Sequence, residues 1–300
     1  MFKGIYTPSI TILDENGKFD FPNMETHINN LIDNGINGIL FFGSIGEFFN
    51  FSLEEKKQLV DFVVEKVNKR VLVLIGVGGT NMDEVLNLAT YCEKANVDGL
   101  VIISPYYFGP TEATAEKFFG TIAETVNLPI MLYNFPDRSG NDLSPDLVYK
   151  LALEHKNIVS IKDTVDNISH TRKIIQKVKA ERPEFTVLSG FDEYYVVNRI
   201  SGGDGVLSGL TNVAPKLFAI LHEAYENKDF ATVEKCAHQV SILMKLYDTT
   251  DLFVTGIKAA VKAKGLDISA FTKEPSTQLT EEQFENIKKI LDEVNELLLV

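Results

Sequence analysis

The stretch PIMLYNFPDRSGNDLSPDLVYKLALEHKNIVSIKD (129–163) opens and closes on short apolar runs, PIMLYNF and IVSIKD. Both are too apolar to leave one face in water, as expected of strands in a parallel sheet that helices cover on both sides. Between them, Ser144 followed by Pro145 has the form of a helix start, an oxygen cap with proline at the first helical position. The stretch reads as one β-α-β unit.

The same unit recurs outward in both directions. GILFFG (38–43), VLVLIGVG (71–78), GLVIISP (99–105), FTVLSG (185–190) and GVLSGL (205–210) join the first two runs, and GIYTPSITI near the start makes eight strands. From the second strand on, they begin 20 to 33 residues apart. The gaps carry helical rhythm: Met24, Ile28, Leu31 and Ile32, then Leu59, Val60, Val63, Val64 and Val67. Ser52 with Glu55 is placed as a capping box, and Asn81 with Glu84 similarly. Repeated βα units with right-handed crossovers predict an α/β fold, a closed (β/α)8 TIM barrel, with an open doubly wound sheet as the rival. After residue 214 the strands stop. Helical patterns follow, the last carrying Phe284, Ile287, Ile290, Leu291, Val294 and Leu297 behind a Thr280 cap. The expected organisation is a barrel over 1–225 and a C-terminal helical region over 226–300.

The 300 residues carry 42 acidic against 29 basic side chains, a net charge of −13. Such a chain repels the phosphate backbone, so nucleic acid is not an expected partner. No run of about 18 apolar residues occurs, and the start lacks an apolar stretch with a cleavage site, so the chain is expected to be cytoplasmic and free of membrane. Cys92 and Cys236 fall in helix-like segments and suggest no disulfide framework. GVGGTN (76–81) has Asn81 where a dinucleotide fingerprint has Gly and reads as a turn; GGDG (202–205) precedes a strand and belongs to the opposite, stability face. The five histidines are scattered, and no metal site is expected.

In a barrel, chemistry gathers at the carboxyl ends of the strands. Ser44, Glu47, Tyr106, Tyr107, Tyr133, Asn134, Arg138, Lys162, Asp163 and Gly190 would all face one mouth. Most lysines fall on helical faces and read as solvated charges, but Lys162 closes an apolar strand. Desolvation there would lower its pKa and supply the neutral amine that attacks a carbonyl; an ion pair with Asp163 is the non-catalytic alternative. Tyr133 would be its acid–base companion or a packing residue. FGSIGEF places a hydroxyl and backbone amides where a helix start would favour a carboxylate. Arg138 would offer a planar fork to a second carboxylate or pair with Asp137.

GSIGE (43–47), SPYY (104–107), YNFPDRSG (133–140) and IKD (161–163) together resemble, in order and spacing, the dihydrodipicolinate synthase and N-acetylneuraminate lyase family of class I aldolases. The resemblance spans essentially the whole chain. It implies a (β/α)8 barrel with a helical extension and a homotetramer built as a dimer of dimers. It further implies a Schiff base between Lys162 and pyruvate, proton transfer by Tyr133, and a relay through Ser44 to Tyr107 of a second copy. Ser44, Ile45 and Gly46 would hold the pyruvate carboxylate, and Gly190 and Val206 would line the pocket by backbone. No metal or organic cofactor is implied.

Ile45 stands where the family commonly has a hydroxyl residue, Phe108 where synthases usually have Asn, and Phe191 where a polar residue is more usual. FFGSIGEFF, PIMLYNFP, IKDTVDNISH and FTVLSGFDE resemble the branch that cleaves 2-keto-3-deoxy sugar acids to pyruvate and an aldehyde. Arg138 instead matches the position at which synthases bind aspartate semialdehyde. The expected function is therefore a pyruvate aldolase acting on a 2-keto-3-deoxy sugar acid. The alternatives are 4-hydroxy-tetrahydrodipicolinate synthase and, in another class, a non-catalytic keto-acid sensor.

Overall fold

The computed structural model describes residues 1–298, with side chains through residue 294. Eight parallel strands form the wall of a barrel: β1 (Gly4–Pro8), β2 (Gly38–Phe41), β3 (Leu72–Gly76), β4 (Gly99–Ile103), β5 (Ile130–Asn134), β6 (Ile158–Asp163), β7 (Thr186–Ser189) and β8 (Gly205–Leu207). Strand β1 pairs with both β2 and β8, through Tyr6↔Gly38 and Ile5↔Val206. That closure removes the open-sheet alternative.

Helices α1 (Phe21–Asp33), α2 (Leu53–Val67), α3 (Met82–Lys94) and α4 (Glu112–Thr125) follow the first four strands. A short α5 (Pro136–Ser139) and then α6 (Pro145–Glu154) follow β5; α7 (Ile168–Lys179), α8 (Tyr195–Ile200) and α9 (Pro215–Glu226) follow β6, β7 and β8. Three more, α10 (Phe230–Leu243), α11 (Phe253–Ala263) and α12 (Glu281–Leu298), follow among the described residues.

The apolar rhythm and caps of the sequence carry these helices. Helix α1 buries Met24, Ile28 and Leu31 against the barrel and α2 buries Leu59, Val60, Val63 and Val67, while Ile32 and Val64 are half-buried at the edges of those stripes. Ser52 and Glu55 form the reciprocal capping box. Asn81 caps α3 through the amides of Asp83 and Glu84, and Ser144 caps α6 with Pro145 in the first turn. Thr280 and Gln283 cap one another ahead of α12, whose Ile287, Ile290, Leu291 and Val294 are buried; the side chain of Leu297 lies outside the described residues. Both cysteines are buried and free.

All the strands except β6 are shorter than their apolar runs, and two of the departures shape the site. GVLSGL leaves the sheet at Leu207 and winds into a 3-10 turn, Gly209–Asn212, where a Cβ on Gly209 would stand 2.3 Å from both Ile45 and the Tyr247 hydroxyl. GILFFG turns out at Phe42, whose φ of 57° is left-handed. GGDG does serve the opposite rim: the Asp204 carboxylate accepts from the Val187 amide at 2.9 Å and its carbonyl from Gly4, joining β7, β8 and β1.

Candidate active site

Parallel pairing of β5 with β6 sets Tyr133 opposite Lys162 and Asn134 opposite Asp163. Strand residues alternate in direction, so the first pair faces the barrel interior and the second faces the helices outside. The Lys162 ammonium stands 4.3 Å from the centroid of the Tyr133 ring, a cation–π distance, and both side chains are buried. The Tyr133 hydroxyl lies 3.3 Å from the Ser44 hydroxyl. A cleft of about 280 Å³ opens above them, small enough to suit a small acid and its reaction partner. Ser44, Ile45, Tyr133, Arg138, Lys162 and Gly190 are among its walls.

Asp163 does not pair with Lys162. It accepts from Asn134 at 3.0 Å and Thr171 at 2.6 Å, and lies 3.1 Å from Nδ1 of His170, whose Nε2 is 3.3 Å from Asp142. Burial opposes a charge on His170, but the Asp163 hydrogen bond and the two carboxylates outweigh it and raise its pKa above the ordinary histidine value. The expectation that Asn134 and Asp163 face the mouth is thus corrected: they lock β5, β6 and α7 together from behind.

Glu47 also turns away from the cleft. It is fully buried and pairs at 2.5 Å with Lys258 of α11, itself fully buried. The reading of helical lysines as solvated charges fails at this residue. Nor does the Ser44-Ile45-Gly46 turn open α2 directly. A 3-10 turn, Phe48–Asn50, intervenes, and the first amides of α2 are served by Ser52. The turn itself nevertheless has open donors: among the described residues no hydrogen bond uses the N–H of Ser44, Ile45 or Gly46. Gly46 lies behind the cleft wall, its carbonyl accepting from Thr11 at 2.8 Å. A Cβ there would sit 3.0 to 3.2 Å from the backbone of Phe42, Ser9 and Gly43.

Gly190 is required by space. A Cβ at this position would meet Thr164 Oγ1 at 1.8 Å and Lys162 Cε at 2.9 Å. Val206 is buried in the β8 wall behind the cleft rather than lining it. Arg138 reaches the cleft mouth, its guanidinium 5.8 Å from the Phe135 ring and 5.7 Å from the Phe253 ring. Among the described residues no ion pair joins it to Asp137. Tyr107 is 86% exposed with a φ of 81° and packs edge-on against exposed Phe108, away from the cleft of its own chain.

Several cleft residues were not singled out in the sequence. Thr164 presents a buried hydroxyl with no partner among the described residues. Asp192 accepts from Ser208, from the Leu210 amide at 2.7 Å and from the Tyr247 hydroxyl at 3.0 Å. Burial raises its carboxyl pKa against those three donors. The Tyr247 hydroxyl is pushed up by the same burial and by the Asp192 charge. Met244, Tyr247, Asp248 and Phe253 come from the C-terminal region, beyond the end of the last strand at Leu207. Asp192 does follow a strand end, in SGFDE, and topology alone would have found it.

YagE of Escherichia coli K12, provisionally named a 2-dehydro-3-deoxy-D-gluconate aldolase, is 37% identical over 294 residues, 98% of this chain and 97% of its own. Its crystal structure in complex with pyruvate superposes with a TM-score of 0.96, covering 98% and 99% of the two chains. YjhH of the same organism, provisionally named a 2-dehydro-3-deoxy-D-pentonate aldolase, is 34% identical over 97% of this chain and 96% of its own. The 4-hydroxy-tetrahydrodipicolinate synthase of Methanocaldococcus jannaschii is 36% identical over 98% of each chain. Matched over residues 1–294, the chain belongs to the dihydrodipicolinate synthetase family and is a class I lyase.

Proposed function

We propose that this enzyme forms an imine between Lys162 and pyruvate and catalyses reversible aldol cleavage of a 2-keto-3-deoxy sugar acid to pyruvate and an aldehyde. The observation that carries the reading is the Lys162 amine held 4.3 Å from the Tyr133 ring at the floor of the cleft, beside open backbone donors. In the cleavage direction the amine adds to the C2 carbonyl and water leaves, giving a protonated imine. Tyr133 takes the proton of the C4 hydroxyl, the C3–C4 bond breaks, and its electrons enter the imine to give an enamine and a free aldehyde. Protonation at C3 and hydrolysis then release pyruvate and the amine. The protonated imine is the electron sink, so this sequence of steps calls for no cofactor.

Ser44, 3.3 Å from the Tyr133 hydroxyl, extends the proton path, and the Ser44-Ile45-Gly46 turn receives the substrate carboxylate. Gly190 leaves room for the lysine stem, and Val206 backs the pocket. The unpartnered Thr164 hydroxyl and the Asp192–Tyr247 pair favour a polyhydroxylated substrate, because each offers a polar partner above Lys162. Tyr107 belongs to the relay of a second copy within a homotetramer, a reading supported by its exposure. Among the described residues no helix is long and apolar enough to cross a membrane; a cytoplasmic location is part of the same proposal.

Arg138 favours a second reading. Its fork at the cleft mouth, between two aromatic rings, suits a distal carboxylate such as that of aspartate semialdehyde. The test is reduction with borohydride in the presence of pyruvate, with peptide mapping, followed by turnover on 2-keto-3-deoxygluconate, its diacid and aspartate semialdehyde. An adduct on Lys162 with pyruvate release from the sugar acid supports the first reading; consumption of the semialdehyde supports the synthase. No adduct and no turnover in folded protein would overturn both and leave a non-catalytic keto-acid sensor.

A further inference from the structure

The buried ion pair between Glu47 and Lys258 has no part in the chemistry above, yet it joins two distant places in the chain. One end belongs to the turn after β2, the other to α11. Each side chain is fully shielded from water. Lys258 also donates to the Phe271 carbonyl at 2.8 Å, and the second Glu47 oxygen accepts from Asn50 at 3.2 Å. A pair so deeply desolvated is weak evidence for stability, since apolar residues of similar volume often stabilise a core as well or better; its best-attested use is to fix one arrangement over others.

The turn has arrangements to choose between. Phe42 and Glu47 bracket Gly43-Ser44-Ile45-Gly46, and both hold left-handed backbone angles, φ 57° and 55°. Neither is a glycine, so each conformation is disfavoured on its own and persists only where surrounding contacts hold it. At Phe42 the packing is tight: its carbonyl approaches within 2.0 Å of where a Gly76 side chain would be. At Glu47 the backbone bonds to Ser44 and Asn50, and the side chain is held across the core by the Lys258 ammonium. From the same C-terminal region, Lys273 grips the next residues, 3.2 Å from the Asn50 carbonyl and 3.3 Å from Glu55.

We infer that Glu47 and Lys258 are positioning residues that set the amides of the Ser44-Ile45-Gly46 turn for the keto-acid carboxylate, so that the C-terminal helices complete the keto-acid site from outside the barrel. This rests on the proposed function, which assigns the carboxylate to that turn. Glu47→Gln with Lys258→Met removes both charges at once and leaves no buried ion unpaired. Glu47→Asp keeps both charges, retracts the carboxylate by one methylene and suits a left-handed position.

The readout is the pyruvate concentration that half-saturates borohydride trapping on Lys162, set beside half-saturation by the aldehyde acceptor. In the double variant the pyruvate value is expected to rise about tenfold, equivalent to about 1.4 kcal/mol, with the acceptor value changed less than about twofold. Glu47→Asp is expected to move the pyruvate value the same way by about threefold. Unchanged pyruvate half-saturation in Glu47→Asp, or equal shifts for pyruvate and acceptor in either variant, would overturn the inference. A purely structural role would lower the trappable fraction without moving the midpoint, which also overturns it. Absence of trapping in the unaltered enzyme would instead reject the proposed function.

Discussion

Lys162 and Asp163 are neighbours in the chain and leave β6 on opposite sides, one into the cleft and the other into the network of Asn134, Thr171 and His170. Substitution should separate their duties. Lys162→Ala is expected to abolish trapping of pyruvate and turnover while leaving the unfolding midpoint in urea nearly unchanged. Asp163→Ala is expected to destabilise the fold by about 3 kcal/mol, because His170 and two neutral donors lose a buried carboxylate together. Comparable unfolding of the lysine variant would make Lys162 a structural residue.

Tyr133→Phe removes only the hydroxyl, since the ring that faces the Lys162 ammonium is retained. With a proton carrier gone, kcat is expected to fall by about 10² to 10⁴. Single-turnover trapping should still mark Lys162, more slowly. A loss under about tenfold would mean that another group carries the proton.

The fold was legible because buried parallel strands are apolar along their whole length and helix starts carry local caps. Both signals lie within a few residues, as in Ser52–Glu55 and Ser144–Pro145. The Lys162–Tyr133 pair was legible for a related reason: each ends a strand, and β5 and β6 pair in a register that brings the two level. Sequence could not show which neighbours turn inward. Asn134 and Asp163 sit one step further along the same strands, and the alternation of the pleat sends them outside. Glu47 and Lys258 were illegible for another reason, since a lysine on a helix finds its carboxylate 211 positions away only once α11 has docked. Tyr247 and Phe253 reach the cleft by the same docking.

At the cleft mouth, Arg138→Ala is expected to discriminate among acceptors. An aldehyde with a distal carboxylate loses a charge-assisted pair, and its kcat/KM should fall by roughly 1.5 to 3 kcal/mol relative to a neutral aldehyde of the same length. Kinetics on the two acceptors side by side measure the difference. Equal losses for both would limit the arginine to packing between Phe135 and Phe253.

His27 supplies a pH-dependent test of the barrel itself. It is fully buried, with Nε2 3.0 Å from Oδ1 of Asn212, an oxygen that also accepts the Ile10 amide at 3.0 Å. Asn212 donates in turn to the carbonyls of Pro8 and Gly209, tying the end of β1 to the turn after β8. Because Oδ1 is an acceptor, His27 keeps its proton on Nε2 and is neutral; burial pushes its pKa down to about 4, with the Asn212 bond opposing. Between pH 4 and the unfolded value of about 6.5 the unfolded chain binds the extra proton, so this contribution to stability is complete above pH 6.5 and is lost as pH falls. His27→Gln keeps a donor for Asn212 without the titration. Urea unfolding of both proteins from pH 8 to pH 5 should show the unaltered chain losing roughly 2 kcal/mol relative to the variant by pH 5. His170, whose raised pKa acts in the opposite direction, is common to both and cancels in the difference. Parallel stability curves would mean that His27 accepts its proton within the folded barrel as readily as in the unfolded chain.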